Sequence, residues 1–322
     1  MKRCARVWLL LACLKVSAAQ AITLSFDYSI DQANHNWFGS HPAAQSLLDN
    51  VVAPFFSSRL DDDLAAVQYS GFQSYQVEIC PASYCGSAVA AAVDVNVAAD
   101  EIKIFVGGAS LGGNSLGLGG PSWFVSPQRG EVGHAGSPPA SDFEPWFGTI
   151  SFDMSHNWYF DNDVSTADTP FSAFDFFSVA VHEVLHVLGI GTAPSWASQI
   201  SNGYFIGLAS TALYGGPVPL AGSGHFFYGI SSSIDGSGSY EVAMDPDIAS
   251  GQQKQMTDLD WAALEDIGWQ VNTAVVPLPP AAAMYLSALL LLRAPRALAS
   301  VAVSRVFSFA RLAPVAVPAV VR

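Results

Sequence analysis

Three observations in the sequence predict an α+β fold. Alternating segments of strand type fill the first half of the chain. One strong helix, Phe174–Leu188, follows at the centre, and a glycine-, serine- and proline-rich stretch then leads to a single closing helix. The chain has 322 residues, 51% hydrophobic and 12% charged, which is ample for one sizeable core and excludes global disorder. No repeat of 20–50 residues and no long linker divides the region between the two ends.

Taken in order, Ile22–Tyr28 alternates and reads as the first strand. In Pro42–Leu60 the apolar residues Ala44, Leu47, Leu48, Val51, Val52 and Phe55 follow helical spacing, with a kink expected at Pro54. Ser74–Ile79 and Glu101–Val106 alternate like strands. Gly107–Gly120 holds seven glycines in 14 residues and reads as a loop with unusual backbone angles. It lacks the Lys-Ser/Thr and the glycine fingerprint of a phosphate cradle. Gly148–Asp153 is a further strand. The helix Phe174–Leu188 has Ser172 as its expected cap, with Asp175 three residues on, and Gly189 and Gly191 stop it. From Gly191 to about Gly251 the composition predicts no regular structure. Thr257–Ile267 closes the chain as a helix, capped by Thr257 with Asp260 and ended by Gly268.

Charge is distributed unevenly. Four basic residues precede position 22 and five follow position 274, so segment 22–274 holds four basic against 27 acidic residues, a net charge of −23. Such a surface repels phosphate and excludes nucleic-acid binding. Lys2, Arg3 and Arg6, the apolar run Val7–Leu14 and the small-x-small triplet Ala19-Gln20-Ala21 read as a secretory signal peptide over residues 1–21. A lipoprotein reading at Cys13 is the weaker alternative, because the apolar stretch before it is short. At the other end, Val276-Pro277-Leu278-Pro279-Pro280, the apolar run Ala281–Leu292 and the basic stop Arg293 and Arg296 resemble a PEP-CTERM sorting signal of the V-P-L-P type, over 273–296. That resemblance implies a processing protease at the cell envelope as partner and an exported protein. Residues 297–322 match nothing in it. In an exported chain, Cys80 and Cys85 read as a small structural disulfide, since a redox role would want Cys-x-x-Cys.

The chemistry is concentrated in Val181-His182-Glu183-Val184-Leu185-His186. Two histidines four residues apart share one helix face and can bind one zinc ion. Glu183 sits beside the first ligand, where its carboxylate can act as general base on an attacking water without ligating the metal. The flanking residues are apolar, and two histidines with a glutamate on such a helix are costly to bury without a partner. The competing reading is a helix with incidental histidines.

The motif resembles that of the metzincin metallopeptidases, H-E-x-x-H-x-x-G-x-x-H, with Gly189 matching the glycine. The third ligand position is Thr192, which excludes the plain form of the family. In the leishmanolysin-like branch the third histidine lies beyond an insertion. His225 is the single histidine after the helix, and Ala243-Met244-Asp245-Pro246 follows it like the Met-turn of that family. The resemblance spans roughly Ile22–Val271, places a metallopeptidase domain at 22–272, and implies a metzincin-like fold: a twisted mixed sheet, an active-site helix, and an irregular C-terminal half with Met-turn and closing helix. It assigns zinc to His182, His186 and His225, catalysis to Glu183, and a polypeptide as substrate. It also makes Gly148–Asp153 a candidate edge for extended substrate. His134 and His156 are fallback ligands, and His35 and His41 read as surface or structural residues. Asp161-Asn162-Asp163-Val164-Ser165 with Asp168 has the oxygen density of a calcium loop but lacks its glycine and final Glu; a solvated acidic turn is the competing and favoured reading. The expected function is a secreted zinc endopeptidase. Its rival is an exported matrix or surface-binding protein that keeps zinc for folding alone.

Overall fold

A computed structural model of the chain describes residues 21–68, 74–122, 129–131, 142–164 and 172–272. The signal peptide (apart from its last residue), the sorting signal, the tail 297–322, His134, Ser165 and Asp168 lie outside the described residues.

The chain opens with strand β1 (Thr23–Asp27), followed by the short helices α1 (Ser29–Ala33) and α2 (Trp37–Ser40). A helical run follows: α3 (Pro42–Leu47), a π-helical turn (Leu48–Val52) and α4 (Ala53–Ser57). The sequence suggested a kink at Pro54. The structure instead widens the helix just before it, where the Ala53 N–H donates to the carbonyl of Leu48, five residues back. Proline has no N–H to give, so one wider turn absorbs it.

Next come β2 (Tyr75–Cys80), α5 (Ala82–Cys85), β3 (Val89–Val93), β4 (Glu101–Ala109), β5 (Gly117–Pro121), the two-residue pair β6 (Gly130–Glu131) and β7 (Phe143–Glu144), and β8 (Phe147–Asp153). The main sheet has the order β1-β4-β8-β5, with β1, β4 and β8 parallel and β5 antiparallel along the edge. Strand β4 is covered on both faces, hence its near-continuous apolar sequence. Ile102, Ile104 and Val106 face the larger core. Phe105 faces a smaller one built with Val77, Ile79, Trp146 and Phe147 under the β2–β3 hairpin. A disulfide joins Cys80 to Cys85 where β2 meets α5.

Two expectations need correction here. Gly107–Gly120 is not one loop: Gly107 and Gly108 lie inside β4 and Gly117–Pro121 forms β5, leaving 110–116 as the connection. Glycine-rich composition predicts freedom to turn, but in β5 glycine marks close packing. Strand β8 is also interior, so the edge on its side of the sheet is β5.

After β9 (Trp158–Tyr159) and β10 (Phe174–Asp175), which pair in parallel, helix α6 (Phe176–Val187) crosses beneath the sheet with nearly every residue buried. Its cap is Asp175, not Ser172: the Asp175 carboxylate accepts from the N–H and hydroxyl of Ser178, both at 2.7 Å. Gly189, at φ 113°, ends the helix.

The segment expected to be irregular contains short elements: α7 (Pro194–Ala197), β11 (Ile200–Ser201), β12 (Tyr204–Phe205), α8 (Leu208–Tyr214), β13 (Val218–Ala221), β14 (His225–Phe226), β15 (Ser231–Ile234) and β16 (Ser237–Glu241). Strands β11-β12-β13-β14 form an antiparallel sheet around buried Trp196, which stacks on Phe205 at 4.0 Å and donates from its indole N–H to the Ser223 carbonyl. Strands of two to four residues are too short to show a period. Helix α9 (Asp258–Asp266) closes the fold behind the capping box of Thr257 and Asp260. The whole is a mixed α+β architecture around a twisted mixed sheet.

Candidate metal centre

Helix α6 presents His182 and His186 one turn apart, and β14 delivers His225 opposite them. The Nε2 of His225 lies 3.1 Å from the Nε2 of His186 and 3.1 Å from that of His182. The return of the chain to this point depends on glycine. Gly191, at φ 77°, passes so close to Gly224 that a Cβ on it would meet the Gly224 carbonyl oxygen at 2.3 Å. Thr192 stands where a plain metzincin would place its third ligand, and its hydroxyl instead donates to the His186 carbonyl at 2.7 Å.

The ring tautomers follow from the neighbours. His182 Nδ1 lies 2.8 Å from the Ala243 carbonyl and His186 Nδ1 lies 2.8 Å from the Ile190 carbonyl, so each Nδ1 carries the proton and each Nε2 a bare lone pair. Burial, reinforced by the neighbouring imidazoles, holds His182 well below the usual histidine range, and burial also brings His186 down to about 4. Burial lowers His225 too, against a raising influence from Asp245. With the Nε2 lone pairs of His182 and His186 bare and the Nε2 of His225 within 3.1 Å of both, the three nitrogens form a donor set suited to a cation. Tetrahedral zinc with Zn–N bonds of about 2.05 Å holds its nitrogens about 3.3 Å apart. The residues fit zinc. Among the described residues no other group of three His, Cys, Asp or Glu side chains converges in this way.

Glu183 points from the same helix into the roof formed by β5. Its carboxylate accepts from the Gly119 N–H, while burial pushes its pKa up to about 8. Gly117 and Gly119 are glycines of necessity: a Cβ on Gly117 would lie 2.4 Å from Glu183 Oε1, and one on Gly119 would lie 2.5 Å from the Glu183 carbonyl oxygen. The register leaves the N–H and C=O of these two residues directed away from β8, since Leu116 and Ser122 make the bonds to Asp153 and Phe147.

The turn Ala243–Pro246 lies under the triad, with Met244 fully buried and its carbonyl accepting from the Phe226 N–H at 3.1 Å. Asp260 in α9 braces that turn by accepting from the N–H groups of Ala243 at 2.9 Å and Met244 at 3.1 Å. Lys254, almost fully buried, bridges Asp245 and Glu241 at 3.2 Å each and donates to the Asp247 carbonyl. Sequence reading missed Gly117, Gly119, Asp260 and Lys254. The sequence marks Asp260 only as a capping residue, and the helical motif gives no hint of what the other three touch.

A cleft of about 920 Å³ opens over the triad, bounded by β5, the N-terminal half of α6 and the segment 245–248. The fallback residue His156 lines the same cleft but does not join the triad, and its Nδ1 is held by the Asp153 carboxylate at 2.8 Å. His41 stacks on Trp37, a structural contact. In the proposed calcium loop, Asp161 accepts from the Asp163 backbone N–H at 2.9 Å as a local turn, and nothing among the described residues supports a calcium ion there.

Residues 125–204 match the family model Peptidase_M10, Matrixin, one of the metzincin families. The matched segment contains His182, Glu183 and His186 and ends before His225. No curated protein matches the chain. Read with the histidine triad, the match supports a zinc metallopeptidase of metzincin type.

Proposed function

We propose that this chain is an exported zinc endopeptidase with the distant third ligand of the leishmanolysin-like branch. His182, His186 and His225 hold the metal, and Ala243–Pro246 serves as the Met-turn. The observation that carries this reading is the convergence of the Nε2 atoms of His182, His186 and His225 in the cleft that Glu183 also lines.

Zinc held by these three residues would supply a Lewis acid able to polarise a scissile carbonyl. The remaining chemistry belongs to the chain. Glu183 takes a proton from the attacking water and returns it to the leaving amine. In the low-polarity roof under β5 burial raises its basicity, which suits both roles. The outward N–H and C=O groups of Gly117 and the outward C=O of Gly119, whose N–H is held by Glu183, offer an extended polypeptide a strand to pair with, so β5 replaces β8 as the substrate edge. The terminal segments add export and envelope sorting to the reading. A non-catalytic matrix protein is not favoured by the family match.

The test is hydrolysis of an unfolded polypeptide by the purified protein with zinc. Cleavage that stops on chelation and returns with zinc is the expected result. A folded, zinc-loaded protein that cuts no peptide would overturn the reading.

A further inference from the structure

The stretch that delivers His225 differs in charge from its surroundings. From Gly191 to Ile234 the sequence contains no Asp, Glu, Lys or Arg, although segment 22–274 as a whole carries −23. The sheet β11-β12-β13-β14 inside it has two unlike faces. Phe205, Val218, Leu220 and Phe226 are buried on one. Residues paired across an antiparallel ladder share a face. The pairs Tyr204–Pro219 and Ala221–His225 therefore occupy the other face. Phe227 extends the first of these rows, its N–H donating to the Pro219 carbonyl at 2.9 Å. Tyr204 is 44% exposed and Phe227 50%, and Ile206 and Tyr228 are also exposed nearby. The face thus begins at a residue of the catalytic cleft and continues as an uncovered aromatic strip.

We propose that this face docks an uncharged, apolar stretch of the polypeptide substrate flanking the bond to be cut, so that the enzyme selects substrates partly by sequence outside the cleft. The inference rests on the peptidase reading above. Continuity argues for this occupant: Phe227 is the next residue after His225 on the same side of the strand, so substrate leaving the triad on that side passes over the strip. Charge argues for it as well. The strip offers no counter-charge to an acidic or basic partner, whereas covering aromatic rings with an apolar segment is favourable and requires no ion to be desolvated.

The test uses two peptides with one cleavable core, extended at both ends by either Leu/Phe-rich or Gly/Ser sequence. KM is expected to be about tenfold lower for the apolar extension. The double variant Y204S/F227S is expected to erase that preference. Fluorescence polarisation of the same peptides on Glu183→Gln protein should show the same order without turnover, and its loss on adding Y204S/F227S. Should the double variant fold poorly, Tyr204→Thr with Phe227→Thr keeps strand-forming residues at both positions. Equal KM values in the natural protein, or a preference that survives the substitutions, would overturn the proposal. So would self-association of the protein that the substitutions abolish, which would reassign the strip to a second copy. A protein that cuts neither peptide refutes the peptidase reading, and polarisation then decides the face separately.

Discussion

Gly119 and Glu183 are in direct contact across the roof of the cleft, the N–H of the first donating to the carboxylate of the second. Two substitutions separate space from chemistry at this contact. In Gly119→Ala the new methyl meets backbone, 2.5 Å from the Glu183 carbonyl oxygen, so the strand must shift. A stability loss of about 1–3 kcal/mol is expected in denaturant titration. In Gly117→Ala the methyl meets the mobile end of the side chain, 2.4 Å from Oε1. That variant should fold normally yet lose about 10- to 100-fold in kcat through a displaced carboxylate.

Glu183→Gln preserves volume and removes the proton acceptor. Zinc content by atomic absorption should be unchanged while turnover of a peptide falls about 10²- to 10⁴-fold. Full activity in this variant would exclude Glu183 as the general base.

Asp260 acts on the metal at one remove. Its carboxylate holds the N–H of Ala243, and the Ala243 carbonyl in turn fixes the Nδ1 of His182. Asp260→Asn places an amide N–H against the N–H groups of Ala243 and Thr257 or those of Met244, whichever way it turns. Zinc affinity in a competition titration should fall about 10- to 100-fold. An unchanged affinity would show that the turn holds its shape without this brace.

The zinc-free protein should weaken in mild acid. Burial holds His182, His186 and His225 below the ordinary histidine range, so as pH falls from about 6.5 the unfolded chain binds protons that the folded chain does not. The imidazole contribution to folded stability is therefore full above that pH and declines toward about 4, where His186 begins to charge in place; Glu183, held up to about 8 by burial, acts in the opposite sense between about 8 and 4.5 and offsets about one of the three imidazoles. The slope is up to about 1.4 kcal/mol per pH unit for each imidazole. Urea midpoints of chelated protein between pH 7 and 5 check the sign. A midpoint that rises as pH falls would contradict it.

What was legible in the sequence depended on how local the signal is. Helix α6 carries its period, its ligands and its glycine stop within one continuous stretch, and α9 carries its capping box, so both could be read directly. Strand β5 could not. Its glycines exist because a helix from elsewhere in the chain pushes Glu183 against them, a contact invisible to any window of sequence. The same holds at Gly148, where a Cβ would lie 2.6 Å from Val187. His225 is reached through the family resemblance, as the single histidine after the helix, while the short strands that carry it show no period. The cap was misplaced by three residues because Ser172 and Asp175 are both good acceptors and backbone geometry chooses between them.

His182 and His186 lie within one helical turn, but His225 follows His186 by 39 residues. The first two ligands are assembled as soon as α6 forms. The third arrives only once the β11–β14 sheet has folded back and Gly191 has settled against Gly224. An ion bound by all three therefore ties off a long loop of the chain, and part of its binding energy goes into closing that loop. Metal affinity at this centre then doubles as a gauge of whether the insertion is folded. Local melting of the insertion would leave a two-histidine site that lets zinc go long before the main sheet comes apart.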